Sequence, residues 1–173
     1  MNFVQHYKQG QQGFNKGLPT GIPSLDMAIN GLQKETSIGL CAAPKAGKTT
    51  LADFMALLSP YLYMEAHGLL DDIEWIYFSF EISRISKEFK VAAFFFYYDY
   101  DITTFSYKGK VYPITQDYLM GKLLYIKEPA KDGKPPVMDV VPVTPDHETK
   151  LKEIYRKRII PIFGEFDSNG KQI

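Results

Sequence analysis

The chain has 173 residues, 20 Lys+Arg against 20 Asp+Glu, and 45% apolar residues, the make-up of one soluble domain with a real core. This excludes disorder and collagen-like repeats. The zero formal charge excludes wrapping nucleic acid through a net positive field, so any polynucleotide role needs a local basic strip, geometry or assembly.

One cysteine, Cys41, cannot close an internal disulfide and fits an intracellular chain. Met1 to Gly10 holds no apolar leader, and the longest apolar stretch, Val91 to Tyr98, is too short to span a bilayer. With 12 Tyr and 12 Phe, the chain points to a bulky core or a subunit interface rather than a cofactor site.

In chain order, Met1 to Thr20 carries Gly10, Gly13, Gly17 and Pro19 among polar residues and reads as an arm or irregular entry segment. A short helix is expected from Pro23 or Ser24, with Leu25, Ala28 and Ile29 on one buried face and Gly31 closing it. Thr36 to Ala43 reads as a buried parallel strand, which buries Cys41 as packing. Pro44 to Gly47 breaks that strand. Lys48 to Leu58 follows at helical spacing, with Leu51, Phe54, Met55 and Leu58 on one side, and Pro60 is expected to kink the helix or start another.

Glu74 to Phe80 reads as a second strand, dominated by aromatic and β-branched residues, with Glu81 at its end. Ser83 or Ser86 caps a helix running through Phe89, Ala92, Ala93 and Phe96 towards Tyr100. Thr103 to Tyr107 and Val111 to Ile114 flank Lys108-Gly109-Lys110, which predicts a small inserted β-hairpin. Gln116 to Ile126 is expected to be helical, Lys127 to Pro136 a polar loop, and Val137 to Val143 a third strand. Thr144 or Asp146 caps a helix through Leu151 and Ile154 that ends near Arg158. Ile159 to Phe163 is an apolar segment, and Asp167 to Gly170 a turn.

The sharpest motif is Ala42-Ala43-Pro44-Lys45-Ala46-Gly47-Lys48-Thr49. It follows the phosphate-loop pattern G-x-x-x-x-G-K-[ST], with Ala42 where the pattern has its first glycine. A bound triphosphate needs backbone N–H groups gathered at the start of a helix, and Gly47 lets the main chain approach phosphate oxygens without a Cβ clash. The expected nucleotide-binding residues are Ala43, Pro44, Lys45, Ala46, Gly47, Lys48, Thr49 and Thr50. Lys48 supplies charge near the β- and γ-phosphates, and the Thr49 hydroxyl offers a ligand to Mg²⁺.

Two further segments carry a family likeness. Thr20-Gly21-Ile22-Pro23-Ser24-Leu25-Asp26, followed by Asn30-Gly31-Leu32 and the phosphate loop, resembles the entry to RecA-type ATPase cores. Phe78-Ser79-Phe80-Glu81-Ile82-Ser83 is similar to the F-S-L-E-M-S segment of DnaB-type replicative helicases. The resemblance implies a three-layer α/β phosphate-loop fold, with a mainly parallel sheet flanked by helices, over residues 21–173 after the 1–20 arm.

It also implies ATP and Mg²⁺ as ligands, hydrolysis with Glu81 polarising the attacking water, and single-stranded DNA as the polymer. A homo-oligomeric ring or filament follows, in the cytoplasm of a bacterium or a phage-infected cell. The family's second Mg²⁺-associated Asp ends a later strand. Asp139 has too short an apolar lead and Asp167 lies in a turn-like setting, so that strand is expected near or beyond Ile173, with the chain stopping short of it.

The remaining constellations are plainer. Lys150, Lys152, Arg156, Lys157 and Arg158 form a basic cluster that reads as a solvated helix face before a DNA-facing strip. His6, His67 and His147 lack metal spacing. Arg84, Arg156 and Arg158 are the only arginines, and none is singled out as one acting on a neighbour's γ-phosphate. A small phosphate-loop kinase, which would use several arginines, and a non-catalytic nucleotide-binding module remain the alternatives.

Overall fold

The structure is a computed structural model that describes residues 4–5, 7–8, 16–70, 82–131 and 133–165. The chain divides into two compact units, Met1–Tyr77 and Phe78–Ile173.

In the first unit, α1 (Pro23–Ile29) starts on a proline in its first turn and stops at Asn30 in the left-handed conformation. Proline's fixed φ suits the first turn, and asparagine tolerates positive φ at the stop. Leu25 and Ile29 are half-buried, whereas Ala28 is exposed. Leu18 and Leu32 form an antiparallel bridge that closes this segment on itself.

The long helix that follows has three parts: α2 (Lys48–Asp53), a π-helical turn (Phe54–Leu58) and α3 (Ser59–His67). The expected apolar side is partly realised, because Met55 and Leu58 are buried while Leu51 remains 40% exposed. Pro60 accounts for the wide turn. It has no N–H to give to the carbonyl four residues back and its ring crowds that carbonyl, so the chain widens and Ser59 N–H donates to Phe54 O instead. The second unit repeats the arrangement at Pro161.

The second unit is built on α4 (Arg84–Tyr100). Ser83 caps it, its Oγ accepting from Ser86 N–H at 3.3 Å, as the serine spacing predicts. A hairpin follows, β1 (Thr104–Tyr107) against β2 (Lys110–Pro113), with Tyr107 opposite Lys110. Its two-residue loop holds Lys108 at φ 48° and Gly109 at φ 73°, the type I′ geometry that matches strand twist.

After α5 (Gln116–Leu119) the chain runs into β3 (Leu124–Glu128), paired antiparallel with β4 (Val137–Val140). Thr144 caps α6 (Pro145–Ile154), which continues through a π-turn (Tyr155–Ile159) into α7 (Ile160–Phe163). Helix α4 packs against α5, α6 and this π-turn. Val91, Phe95, Phe96, Phe105, Tyr118, Tyr125, Val141 and Ile154 are buried, so the aromatic excess does serve a bulky core.

The expected mainly parallel, three-layer sheet is overturned. Among the described residues there are two separate two-stranded antiparallel sheets, each a local hairpin. Thr36 to Ala43 forms no strand and is exposed throughout. Its Ser37, Gly39, Cys41, Ala42 and Ala43 offer little side-chain volume to a strand covered on both faces. Cys41 is therefore exposed rather than packed.

The third strand exists, but Val137–Val140 takes the nearby Leu124–Glu128 as its partner, because closing a short loop costs less entropy than a distant parallel pairing. The same pairing corrects the helix expected over Gln116 to Ile126. The chain folds back after Met120, with Lys122 and Leu123 N–H both donating to Asp117 O. The second expected strand, Glu74 to Phe80, and the turn at Asp167 lie outside the described residues. No helix among the described residues is long and apolar enough to cross a membrane.

Candidate functional site

The phosphate-loop motif forms an exposed turn leading directly into a helix. Ala46 N–H donates to Ala43 O at 3.2 Å, closing the turn, and Lys45 has φ 62°. Gly47 has φ 85° and is the N-terminal cap of α2. A Cβ there would meet nothing within 4 Å, so this position needs glycine for its left-handed backbone, and the space beside it is open. Ala42 is not among the positive-φ residues, which is why an alanine fits where the pattern carries its first glycine.

The Lys48 Nζ donates to Ala42 O at 3.1 Å, so the ammonium folds back across the whole loop. A phosphate oxygen is a stronger, charge-assisted acceptor than a carbonyl. Lys48 is half-buried, whereas Ala43, Pro44, Lys45, Ala46, Thr49 and Thr50 are exposed. Leu51 N–H donates to Gly47 O at 2.9 Å, the first helical bond. The amides of Lys48 and Thr49 therefore lie in the turn where a helix provides no internal acceptor and where its dipole favours anions.

The Thr20–Asp26 segment, visible in the sequence as a motif, also has a structural role. Thr20 is fully buried, and both its N–H and its hydroxyl donate to Asp26 Oδ1, at 2.8 and 2.7 Å. The other predicted catalytic residue, Glu81, lies outside the described residues.

Elsewhere the basic cluster is largely paired. Lys150 bonds Asp146, Lys152 bonds Glu148 at 2.6 Å and Lys157 bonds Glu153 at 2.5 Å, each one helical turn away. These bonds hold the three carboxyls below their ordinary pKa range. A shallow groove of about 430 Å³ runs along this helix, lined by Thr149, Lys152, Glu153, Arg156 and Lys157. Arg158 is committed to Asp99 through two bonds, Nε to Oδ2 at 3.0 Å and Nη2 to Oδ1 at 2.7 Å. Beside that pair, burial first and the Glu153 carboxylate second push the Tyr100 hydroxyl up to about 12.

Sequence reasoning also missed a buried polar pair. Tyr118 is fully buried and its hydroxyl lies 2.7 Å from His147 Nδ1, while Thr144 N–H donates to the same hydroxyl at 3.2 Å. Phe105 stacks on Tyr118, and the Phe96 and Phe105 rings meet His147 edge-on. Burial lowers the pKa of His147. Among the described residues no group of three or more His, Cys, Asp or Glu is placed to hold a metal.

No protein family, no curated protein and no solved structure matches this chain.

Proposed function

We propose that the chain binds a nucleoside triphosphate, ATP with Mg²⁺, at Ala43 to Thr50. The observation that carries this reading is the loop itself: a left-handed Gly47 feeding a helix, with the Lys48 ammonium laid back onto Ala42 O at 3.1 Å. Backbone amides and the helix dipole supply the anion site, and Lys48 supplies the charge. An Mg²⁺ ion keeps much of its coordination as water and phosphate oxygen, so one hydroxyl, that of Thr49, suits it. When bound, the ion would neutralise charge on the phosphates.

Hydrolysis with Glu81 orienting the water, and work on single-stranded DNA as a homo-oligomer, extend this reading on the resemblance to DnaB-type helicases alone. The kinase alternative is disfavoured because Arg158 is held by Asp99 and Arg84 bonds Glu88 at 2.7 Å. That leaves few arginines for a transferred phosphoryl group.

Substitution tests both layers. Lys48→Ala is expected to abolish binding of a fluorescent ATP analogue. Glu81→Gln is expected to keep binding while phosphate release falls by orders of magnitude. Unchanged binding in Lys48→Ala refutes the site, and unchanged turnover in Glu81→Gln removes that residue from the chemistry.

A further inference from the structure

We propose that the Pro19–Gly21 turn, fixed by Asp26, is a brace that positions the phosphate loop through the π-turn of its helix. The inference rests on reading the loop as a nucleotide site. Thr20 N–H and O–H both end on Asp26 Oδ1, at 2.8 and 2.7 Å, and Ile22 N–H donates to Thr20 Oγ1 at 3.2 Å. These bonds fix the turn against α1. The turn also meets the long helix at Ser59 and Phe54. Ser59 Oγ donates to Pro19 O at 3.0 Å, and a Cβ on Gly21 would lie 2.7 Å from Ser59 Oγ and 2.9 Å from the Phe54 ring.

Phe54 opens the π-turn and Ser59 is the first residue after it. A π-turn is a weak point in a helix, where the two halves can change angle. The brace sits across that weak point.

Phe54 lies six residues beyond Lys48, roughly 9 Å along the axis at 1.5 Å per residue. A tilt of about 10° at the π-turn therefore moves the Lys48 end by roughly 1.5 Å, enough to spoil a site that depends on converging amides. Thr20, Gly21 and Asp26 act through Ser59 and Phe54 rather than on the nucleotide itself. They are positioning residues.

The test uses the whole chain with Gly21→Ala, Thr20→Val and the conservative Thr20→Ser. Three quantities are measured: urea stability, affinity for a fluorescent ATP analogue with Mg²⁺, and the Gly47 amide resonance without nucleotide. Gly21→Ala and Thr20→Val are expected to weaken the analogue by about tenfold in the folded fraction and to shift the Gly47 resonance, with Thr20→Ser restoring both. Loss of stability with wild-type affinity and an unmoved Gly47 resonance overturns the brace. If Gly21→Ala does not fold, Thr20→Val carries the test. If the wild type binds no nucleotide, the site reading fails, while the Gly47 resonance in the variants still decides whether the brace acts on the loop.

Discussion

Replacing Tyr118 by Phe removes one oxygen from the second unit and leaves its packing in place. The ring centroid stays 4.0 Å from Phe105, so stacking is retained. The loss is polar: Thr144 N–H loses its acceptor at 3.2 Å and His147 Nδ1 its hydrogen-bond partner at 2.7 Å. Each buried polar group left unpaired costs about 1–3 kcal/mol, and Thr144 is only half-buried, so the sum is about 2–4 kcal/mol. The Tyr118 hydroxyl accepts from Thr144 N–H and pairs with His147 Nδ1, and the imidazole tautomer sets which of those two atoms carries the shared proton.

That arrangement has a pH signature. Burial lowers the His147 pKa, with Asp146 opposing and Lys150 adding to the shift on its own helix, while Phe96, Phe105 and Tyr118 face it from the others. The stability it contributes is whole above the ordinary histidine value of about 6.5. Below it the unfolded chain takes up a proton that the folded one refuses, so stability falls with pH until the depressed folded value is passed. Urea denaturation followed by circular dichroism at several pH values between 5 and 7.5 measures both effects. A Tyr118→Phe cost below about 0.5 kcal/mol, or a His147→Phe variant with the wild-type pH slope, refutes the reasoning.

Three other expectations are structural. Pro60→Ala restores a backbone donor, so the Ser59 amide is expected to change acceptor from Phe54 to Met55 as the π-turn relaxes, visible as i,i+4 in place of i,i+5 contacts in an NMR spectrum. Asp99→Asn breaks a paired side chain only 17% exposed and is expected to cost about 2 kcal/mol in urea denaturation. Gly109→Ala, at φ 73° in the hairpin turn, should cost about 1 kcal/mol, read as a lowered thermal midpoint.

Local rules made much of the secondary structure legible. Ser83, Thr144 and the Lys108-Gly109 turn each act through bonds or backbone preferences within a few residues, and each stands where the sequence places it. Pro60 likewise announced a break in the helix. What failed was long-range pairing. Thr36 to Ala43 looks like a buried strand only if bulky neighbours cover it, and Leu124 to Glu128 was hidden because Tyr118, Leu119 and Ile126 also fit a helical spacing.

At the candidate site, the motif identified the loop, and the Thr20–Asp26 segment was visible as a likeness without its mechanical role. The Tyr118–His147 pair left no sequence signal, since its members are 29 residues apart and meet only through tertiary packing.

The central claim is that the loop from Ala43 to Thr50 holds a triphosphate. Titrating ATP with Mg²⁺ into the isotopically labelled chain and following backbone amides tests it most directly. The account predicts saturable shifts largest at Gly47, Lys48 and Thr49, with adenosine producing none there. Largest shifts elsewhere, or the same shifts with adenosine, would contradict it.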